Sequence, residues 1–349
     1  MKMKKYACMI VALAIMVTFC SGVRASAGNG TVRIDSNGGF AAVAASGNGT
    51  SDNPWIIEGL DIDGTGCGYC IYVGNTTDHF IIRDCLLHDA YVQNHDGIYR
   101  PNAGVVLNNV QNGEVRNNSM EFNAGLGIML HMSSLNTIQG NNITENEYGI
   151  RLTGGSDENN ISFNYFWNNT HANIAVENSA SNEIGYNTAD YSQYGIYLFS
   201  ATGNLLIHNL AFYNDYGVYC WASADNTAVN NSLCLSFEFG MFLDSDSDDN
   251  TIYHNNFGNN TNQAGDSGTG NSWHGGYPAG GNFWTDYIGG DEYKGPDQNE
   301  TGTDALGDAM YHCPDWLPEA LYPRMRAADT FGIGRRDDPN GIGRRDDPN

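Results

Sequence analysis

Imidazole and carboxylate side chains lie close together in one stretch of the sequence, between residues 88 and 96. His88 is followed by Asp89, and His95 is followed by Asp96. Such groups can act as general acids and bases when they come within hydrogen-bond reach of one another. The stretch also interrupts a sequence repeat, and functional residues often lie on loops held by a rigid scaffold. These four residues are the candidates for catalysis, with an ordinary polar loop as the alternative.

Two candidate copper ligands alternate along one segment. Met129 and His131 are two residues apart, and Met132 follows them. Thioether and imidazole groups are ligands that suit copper. If the segment is a strand, Met129 and His131 point to the same outer side. Ordinary surface residues are the alternative interpretation, because neither a His-x-His element nor a Met-rich run is present.

Two acidic stretches are candidate calcium sites, because calcium takes six to eight hard oxygen ligands. The first falls at one turn and holds Asp244, Asp246, Asp248 and Asp249. The second lies near the C-terminal end and holds Asp291, Asp297, Asn299, Asp304 and Asp308. Solvated acidic loops would have the same composition.

A Gly-apolar-x-apolar motif defines the elements that must position these side chains. It recurs every 22–24 residues, as GVVL at 104–107, GIML at 127–130, GIRL at 149–152, NIAV at 173–176, GIYL at 195–198, GVYC at 217–220 and GMFL at 240–243. An earlier copy, CIYV at 70–73, stands 34 residues before the next, which predicts an insertion over roughly 91–101. The alternation favours short strands, and one such coil cannot bury its apolar face alone. We predict an all-β fold, a right-handed parallel β-helix of about eight stacked coils.

Asparagines recur with the same period. One column holds Asn118, Asn141, Asn164, Asn187, Asn209, Asn231 and Asn255, and a second holds Asn136, Asn159, Asn182, Asn204, Asn226 and Asn250. Asparagine tolerates the backbone angles of sharp bends, and its amide can pair with the equivalent residue of the next coil. We predict structural ladders at the corners of a three-faced helix.

Aromatic residues occupy the expected outward positions of three successive coils. These positions hold Tyr197 and Phe199, then Tyr219 and Trp221, then Phe242 and Asp244. Stacked coils would join the rings into one exposed patch, and exposed apolar patches often mark binding sites. We predict a sugar-binding surface here. The alternatives are the general preference of aromatic residues for strands and a covering loop or second chain.

The two ends of the chain lack the repeat. Residues 1–27 have a basic start, an apolar run and an Ala-Ser-Ala cleavage pattern at 25–27, which is typical of a signal peptide cleaved near Ala27. We expect an N-terminal cap over 28–60, the β-helix over 61–265, and a capping module rich in Gly, Asp and aromatic residues over 266–326. Residues 327–349 contain GIGRRDDPN twice in tandem and favour disorder.

The charge of the mature chain excludes nucleic acid as a partner. Removing residues 1–27 takes away four of the 16 Lys and Arg residues and none of the 40 acids, which leaves a net charge of −28. Such a chain has little with which to neutralise phosphates. It also lacks a further segment that is apolar enough to cross a bilayer. Six cysteines remain, and an exported chain permits disulfides whose pairing the sequence does not specify.

The repeats resemble NosD-type β-helix repeats, also called carbohydrate-binding and sugar-hydrolase repeats. DNPWIIEG at 52–59 is similar to the start of secreted archaeal members, and YHNNF at 253–257 with GNFWTDY at 281–287 is similar to their C-terminal signature. DALGD at 304–308 and LYP at 321–323 complete the signature. The resemblance covers roughly residues 31–326. It implies a secreted, cell-surface or periplasmic protein, and through the protein that names the family it implies help in assembling the copper centre of nitrous oxide reductase.

Three functional hypotheses follow. The first is a non-catalytic surface protein that binds a polysaccharide or cell-surface glycan, or that is structural. The second is a copper-binding accessory protein for metalloenzyme maturation. The third is a polysaccharide lyase or epimerase, although Gly-His-Gly, Arg-Ile-Lys and Asp-Pro-His-Asp elements are missing and NHDG at 94–97 is the nearest string. The oligomeric state is left open by all three.

Overall fold

The computed structural model describes residues 30–95 and 97–306. In these residues the chain winds into a solenoid whose strands fall into three parallel sheets. Sheet A contains β1 (Val32–Ile34), β4 (Tyr69–Thr76), β7 (Ala103–Val110), β10 (Leu126–His131), β13 (Tyr148–Thr153), β16 (Ala172–Glu177), β19 (Tyr194–Phe199), β22 (Tyr216–Trp221), β25 (Phe239–Leu243) and β28 (Asn262–Asp266).

The other two sheets complete each coil. Sheet B contains β2 (Trp55–Glu58), β5 (Phe80–Arg83), β8 (Gly113–Arg116), β11 (Thr137–Gln139), β14 (Asn160–Ser162), β17 (Glu183–Gly185), β20 (Leu205–Ile207), β23 (Thr227–Val229) and β26 (Thr251–Tyr253). Sheet C contains β3 (Asp61–Thr65), β6 (Leu86–Tyr91), β9 (Ser119–Glu121), β12 (Asn142–Thr144), β15 (Tyr165–Trp167), β18 (Thr188–Asp190), β21 (Leu210–Phe212), β24 (Ser232–Cys234), β27 (Asn256–Gly258) and β29 (Phe283–Trp284). A short 3₁₀ helix spans Asn37–Ala42, and β30 (Tyr293–Lys294) pairs antiparallel with β31 (Glu300–Thr301).

The register of the sheets places each repeat position on its equivalent in the next coil. Ile128 lies between Val105 and Ile150 in sheet A, and all three are fully buried. Each coil adds its inward side chains to one continuous core, because parallel strands stack about 4.8 Å apart. The all-β parallel solenoid predicted from the repeat is therefore confirmed.

The solenoid has more coils than the sequence indicated. Sheets A and C each contain ten strands, whereas the motif predicted about eight coils. The additional strands come from the ends, where the motif is degenerate. Val32–Ile34 pairs with β4, Trp55–Glu58 pairs with β5, and Phe283–Trp284 pairs with β27.

Asparagine ladders run along the corners. At the corner between sheets B and C, the Nδ2 and the backbone N of Asn141 both donate to Oδ1 of Asn164, each at 3.0 Å. Asn141 Nδ2 also donates to the carbonyl of Val115. The same contacts join Asn118, Asn141, Asn164, Asn187, Asn209, Asn231 and Asn255 in sequence, and the ladder continues to Asn282. They satisfy buried polar groups that would otherwise lack partners.

The corner between sheets C and A carries another asparagine ladder, which was not predicted from the sequence. Asn123 donates to Asn146, and Asn146 donates to Asn169. These residues stand five positions after members of the first ladder, so the same period could have revealed them. Serine takes the place of asparagine at Ser192 and Ser236, which obscures the pattern.

Residues 30–95 and 97–306 contain neither a membrane-spanning helix nor a disulfide. The helical segment in the described residues is too short to cross a membrane. The five cysteines within the described part of the chain, Cys67, Cys70, Cys85, Cys220 and Cys234, are all free. Cys313 lies outside it.

Candidate functional site

The outer side of sheet A carries a continuous cluster of rings over five successive coils. We call it the aromatic face. It comprises Tyr148, His171, Tyr194, Tyr197, Phe199, Tyr216, Tyr219, Trp221, Phe239 and Phe242. Inward residues of the same strands, such as Ile196 and Leu198, lie in the core and hold the backbone in place. The face is therefore built on rigid strands.

The six residues singled out from the sequence fall in two neighbouring columns. In the first column the rings of Tyr197 and Tyr219 lie 5.9 Å apart and nearly parallel, and those of Tyr219 and Phe242 lie 5.5 Å apart. In the second column Trp221 meets Phe199 edge to face at 5.6 Å. Asp244 follows in the next coil, where its backbone N donates to the carbonyl of Cys220. Offset parallel stacking, as in the first column, and edge-to-face contact, as between Trp221 and Phe199, are both favourable arrangements for aromatic pairs.

A further column of rings was missed. Tyr194, Tyr216 and Phe239 lie one above another with ring centroids 5.6 and 5.9 Å apart. Tyr194 also stacks on Tyr219 at 5.3 Å. Each of these residues directly precedes the Gly of the repeat motif, a position that the sequence analysis did not consider. Their spacing of 22 and 23 residues matches the repeat and could have identified them.

Exposure differs strongly between Tyr197 and Trp221, and one expectation needs correction. Tyr197 was expected to face solvent, but it is only 9% exposed. The rings of His171, Tyr194, Phe199 and Tyr219 lie around it, and it forms a buried cluster with Ala172 and Ala175. Trp221 is 47% exposed. Tyr197 therefore supports the face from below, whereas Trp221 presents its ring to solvent.

The carboxylates at the two ends of the Phe199 column have structural partners. Glu177 is paired in register with Phe199, and both its oxygens bind the guanidinium of Arg151 at 2.7 and 2.9 Å. Asp244 Oδ1 accepts hydrogen bonds from the backbone N of Ala222 and from the hydroxyl of Ser247. These acids border the face while they also fix the surrounding turns.

The tyrosines of the face are un-ionised at neutral pH. Burial raises the pKa of Tyr197, Tyr216 and Tyr219 above the ordinary value, and nearby carboxylates raise it further. For Tyr216 these carboxylates are Glu238 and Asp215, and for Tyr219 the nearest is Asp244. The face thus offers apolar rings and phenol hydroxyls within a negative border.

The candidate catalytic residues separate into two groups. His88 Nδ1 lies 2.7 Å from Asp89 Oδ2, and His88 Nε2 lies 3.1 Å from Asp61 Oδ1. Burial lowers the pKa of His88, but the hydrogen bonds to the two carboxylates outweigh it and the pKa is raised. This group could transfer protons. His95 is exposed on the insertion and has no hydrogen bond or ion pair to another described residue, and Asp96 lies outside the described residues.

The candidate copper ligands Met129 and His131 differ in their surroundings, and the copper site stays a prediction. Met129 faces the outer side of sheet A, but it is 2% exposed and lies in an apolar cluster with Tyr72 and Val106. The expectation of a solvent-facing thioether is therefore wrong, because Ile98 of the insertion packs over this cluster. Burial lowers the pKa of His131, whose Nδ1 is buried without a hydrogen-bond partner. Across residues 30–95 and 97–306, no three His, Cys, Asp or Glu side chains converge with metal-binding geometry.

The acidic stretch near the C-terminal end is folded around its own backbone. Asp291 accepts hydrogen bonds from the backbone N of Asp304 and Ala305, and Asp304 accepts them from Gly295 and Leu306. Asp297 and Asn299 are exposed. Asp308 lies outside the described residues. The calcium site stays a prediction.

Family comparisons agree with the architecture. The family model for the right handed beta helix region matches residues 41–212, and that for the periplasmic copper-binding protein (NosD) matches residues 168–289. Together the two matches span residues 41–289, and both agree with the parallel β-solenoid. The NosD match falls mainly in the C-terminal half of the chain. A search of curated proteins finds no match.

Solved structures with similar folds include several proteins that act on carbohydrates. DFA-IIIase from Arthrobacter chlorophenolicus A6, in complex with GF2, is 14% identical with a TM-score of 0.47, over 64% of this chain and 60% of that one. Alginate lyase from Paenibacillus sp. str. FPU-7 is 15% identical with a TM-score of 0.49, over 73% and 97%. The A-module of mannuronan C-5 epimerase AlgE6 from Azotobacter vinelandii is 15% identical with a TM-score of 0.39, over 62% and 63%. This chain spans 52–60% of the length of the three DFA-IIIase structures that match first.

Proposed function

We propose that this chain is an exported, non-catalytic β-helix protein that binds a polysaccharide or cell-surface glycan on its aromatic face. The observation that carries the proposal is the ordered array of rings on rigid strands, with Trp221 exposed at its surface. Apolar patches of this kind usually mark interaction sites. Flat rings offer a surface for the apolar faces of sugars, and the tyrosine hydroxyls can exchange hydrogen bonds with sugar hydroxyls.

The border of the face favours binding over chemistry. General acid–base catalysis needs carboxyl groups that are available to the substrate. Glu177 is held by Arg151 at both oxygens, and Asp244 Oδ1 is occupied by turn hydrogen bonds. The apparent signal peptide at 1–27 and the periplasmic family match support export.

Trp221→Ala tests the proposal. A glycan array should identify ligands of the mature chain, and Trp221→Ala should weaken their binding by roughly tenfold or more, in line with the loss of an aromatic anchor. Tyr165→Ala is the matched control, because Tyr165 is 44% exposed on sheet C, away from the face. It should bind like the wild type.

Two results would reject the proposal. One is equal loss of binding in both variants. The other is a dimer in sedimentation experiments that Trp221→Ala dissociates, since the face would then be an interface between copies of this chain.

A further inference from the structure

The aromatic face lies almost entirely in a part of the sequence that contains no Lys or Arg. From residue 152 to residue 293 the sequence contains sixteen Asp and Glu residues and no Lys or Arg. This stretch includes β19, β22 and β25, and it contains all rings of the face except that of Tyr148. A ligand on these coils therefore meets carboxylates from this stretch without basic residues to offset them.

Carboxylates border the face on two sides. Glu147, Asp215 and Glu238 directly precede Tyr148, Tyr216 and Phe239, and backbone hydrogen bonds place Glu238 directly beside Asp215 in the next coil. Glu177 and Asp244 close the two ends of the Phe199 column. Their influence reaches the rings, because Glu238 and Asp215 both contribute to the raised pKa of Tyr216.

The arginine beside the face, Arg151, is already paired with a carboxylate. Arg151 lies over the ring of Tyr148, with its guanidinium carbon 5.2 Å from the ring centroid. Two charge-assisted hydrogen bonds join it to Glu177. Such bidentate pairs are strong and geometrically fixed, so Arg151 is not available to pair with a carboxylate or sulfate of a ligand.

We infer that the aromatic face is selective for neutral glycans and excludes polyuronates and other anionic polysaccharides. The inference rests on the proposed function and specifies its ligand class. A polyuronate brings one carboxylate per sugar residue to within the ~8–10 Å over which charges interact at physiological salt. Like charges brought together without compensation disfavour association strongly. A neutral glycan keeps the ring contacts and incurs none of this repulsion.

The test compares neutral and anionic oligosaccharides on the mature chain by calorimetry. Cellohexaose, mannohexaose and chitohexaose form the neutral set, and hexagalacturonate and hexamannuronate form the anionic set. At least one neutral probe should bind, with an affinity that salt hardly changes. The anionic probes should bind roughly tenfold more weakly or worse. Anionic probes that bind as tightly as the best neutral probe would overturn the inference and leave the proposed function intact.

A charge-reversal variant makes the test sharper. The double variant Asp215→Lys with Glu238→Lys should improve binding of the anionic probes by about tenfold, and added salt should remove the gain. Glu183→Lys is the control, because Glu183 is exposed on sheet B and leaves the face unchanged. If neither set binds the wild type at millimolar concentration, the proposed function itself fails. An equal gain from Glu183→Lys would show that only net charge matters and would overturn the local inference.

Discussion

The outer side of sheet A differs between its two halves. In the N-terminal half, Tyr72, Val106 and Met129 are apolar but buried, because Ile98 of the insertion between β6 and β7 packs over them. In the C-terminal half, Trp221 is 47% exposed among the other rings of the aromatic face. The outer side of sheet A thus serves packing in the N-terminal half, whereas in the C-terminal half it presents the ring of Trp221 to solvent.

The two halves also differ in charge. Ion pairs of Arg83 with Glu58 and of Arg151 with Glu177 lie in the N-terminal half or at its boundary. Between residues 152 and 293 the sequence has sixteen Asp and Glu residues and no Lys or Arg. Ring exposure and negative charge therefore coincide on these coils, which a simple preference of aromatic residues for strands does not require.

The largest expected effect is on stability, and it concerns the N-terminal half of sheet A, where the insertion covers the outer side chains. Tyr72→Ala should lower the free energy of unfolding by about 3–5 kcal/mol, as other buried aromatic truncations do. Tyr72 is fully buried, its hydroxyl accepts a hydrogen bond from Asn108 at 2.8 Å, and Arg33 lies 4.1 Å from its ring centroid. Urea denaturation monitored by circular dichroism measures the change. A loss below 1 kcal/mol would mean that the insertion does not exclude solvent from the outer side of sheet A around Tyr72.

The next effect is a pH dependence of the free energy of unfolding, caused by Asp190 in one of the coils that carry the aromatic face. Burial raises the pKa of Asp190 on sheet C from its ordinary 3.8 to about 7. The unfolded chain releases this proton at lower pH than the folded chain does, so the free energy of unfolding falls between about pH 4 and pH 7 and is level above. Asp190→Asn removes this dependence and keeps an oxygen acceptor for the backbone N of Phe212.

The expected gain from Asp190→Asn at pH 8 is about 2–4 kcal/mol, from 1.36 kcal/mol per pKa unit with allowance for partial solvent contact. At pH 4 the variant and the wild type should be nearly equal. Thermal melting at both pH values measures the difference. An equal gain at pH 4 and pH 8 would show that Asp190 does not titrate as described.

The asparagine ladder should not distinguish the two halves. Asn187→Leu and Asn118→Leu should each cost about 1–3 kcal/mol, because each leaves buried amide and carbonyl groups without partners. Asn187 accepts from the backbone N of Asn164 and donates to the carbonyl of Ile161 and to Asn209. Melting temperatures of both variants test this. A loss confined to one half would show that the ladder is not a uniform structural element.

Much of the architecture could be predicted from the repeat, because a period of 22–24 residues forces equivalent side chains into register. Ile128 and Leu130 illustrate this, since their inward positions follow directly from the alternation. The burial of Met129 and Tyr197 could not be predicted in the same way. Both point outward on their strands, and their burial depends on neighbours from other coils or from the insertion. Strand alternation fixes the direction of a side chain but not what covers it.

The smallest expected effect on stability is that of Trp221→Ala, which contrasts with Tyr197→Ala one coil away. Trp221 is half exposed, so its truncation should change the free energy of unfolding by less than about 1 kcal/mol. Tyr197 is enclosed by four rings, so its truncation should cost roughly 2–4 kcal/mol and loosen the face. Urea denaturation gives both values, and glycan binding is measured on the same samples. A binding surface requires the two variants to separate, with Trp221→Ala losing ligand but little stability. If Trp221→Ala costs as much stability as Tyr197→Ala, the rings form one packing unit, and the contrast between the two halves of sheet A disappears.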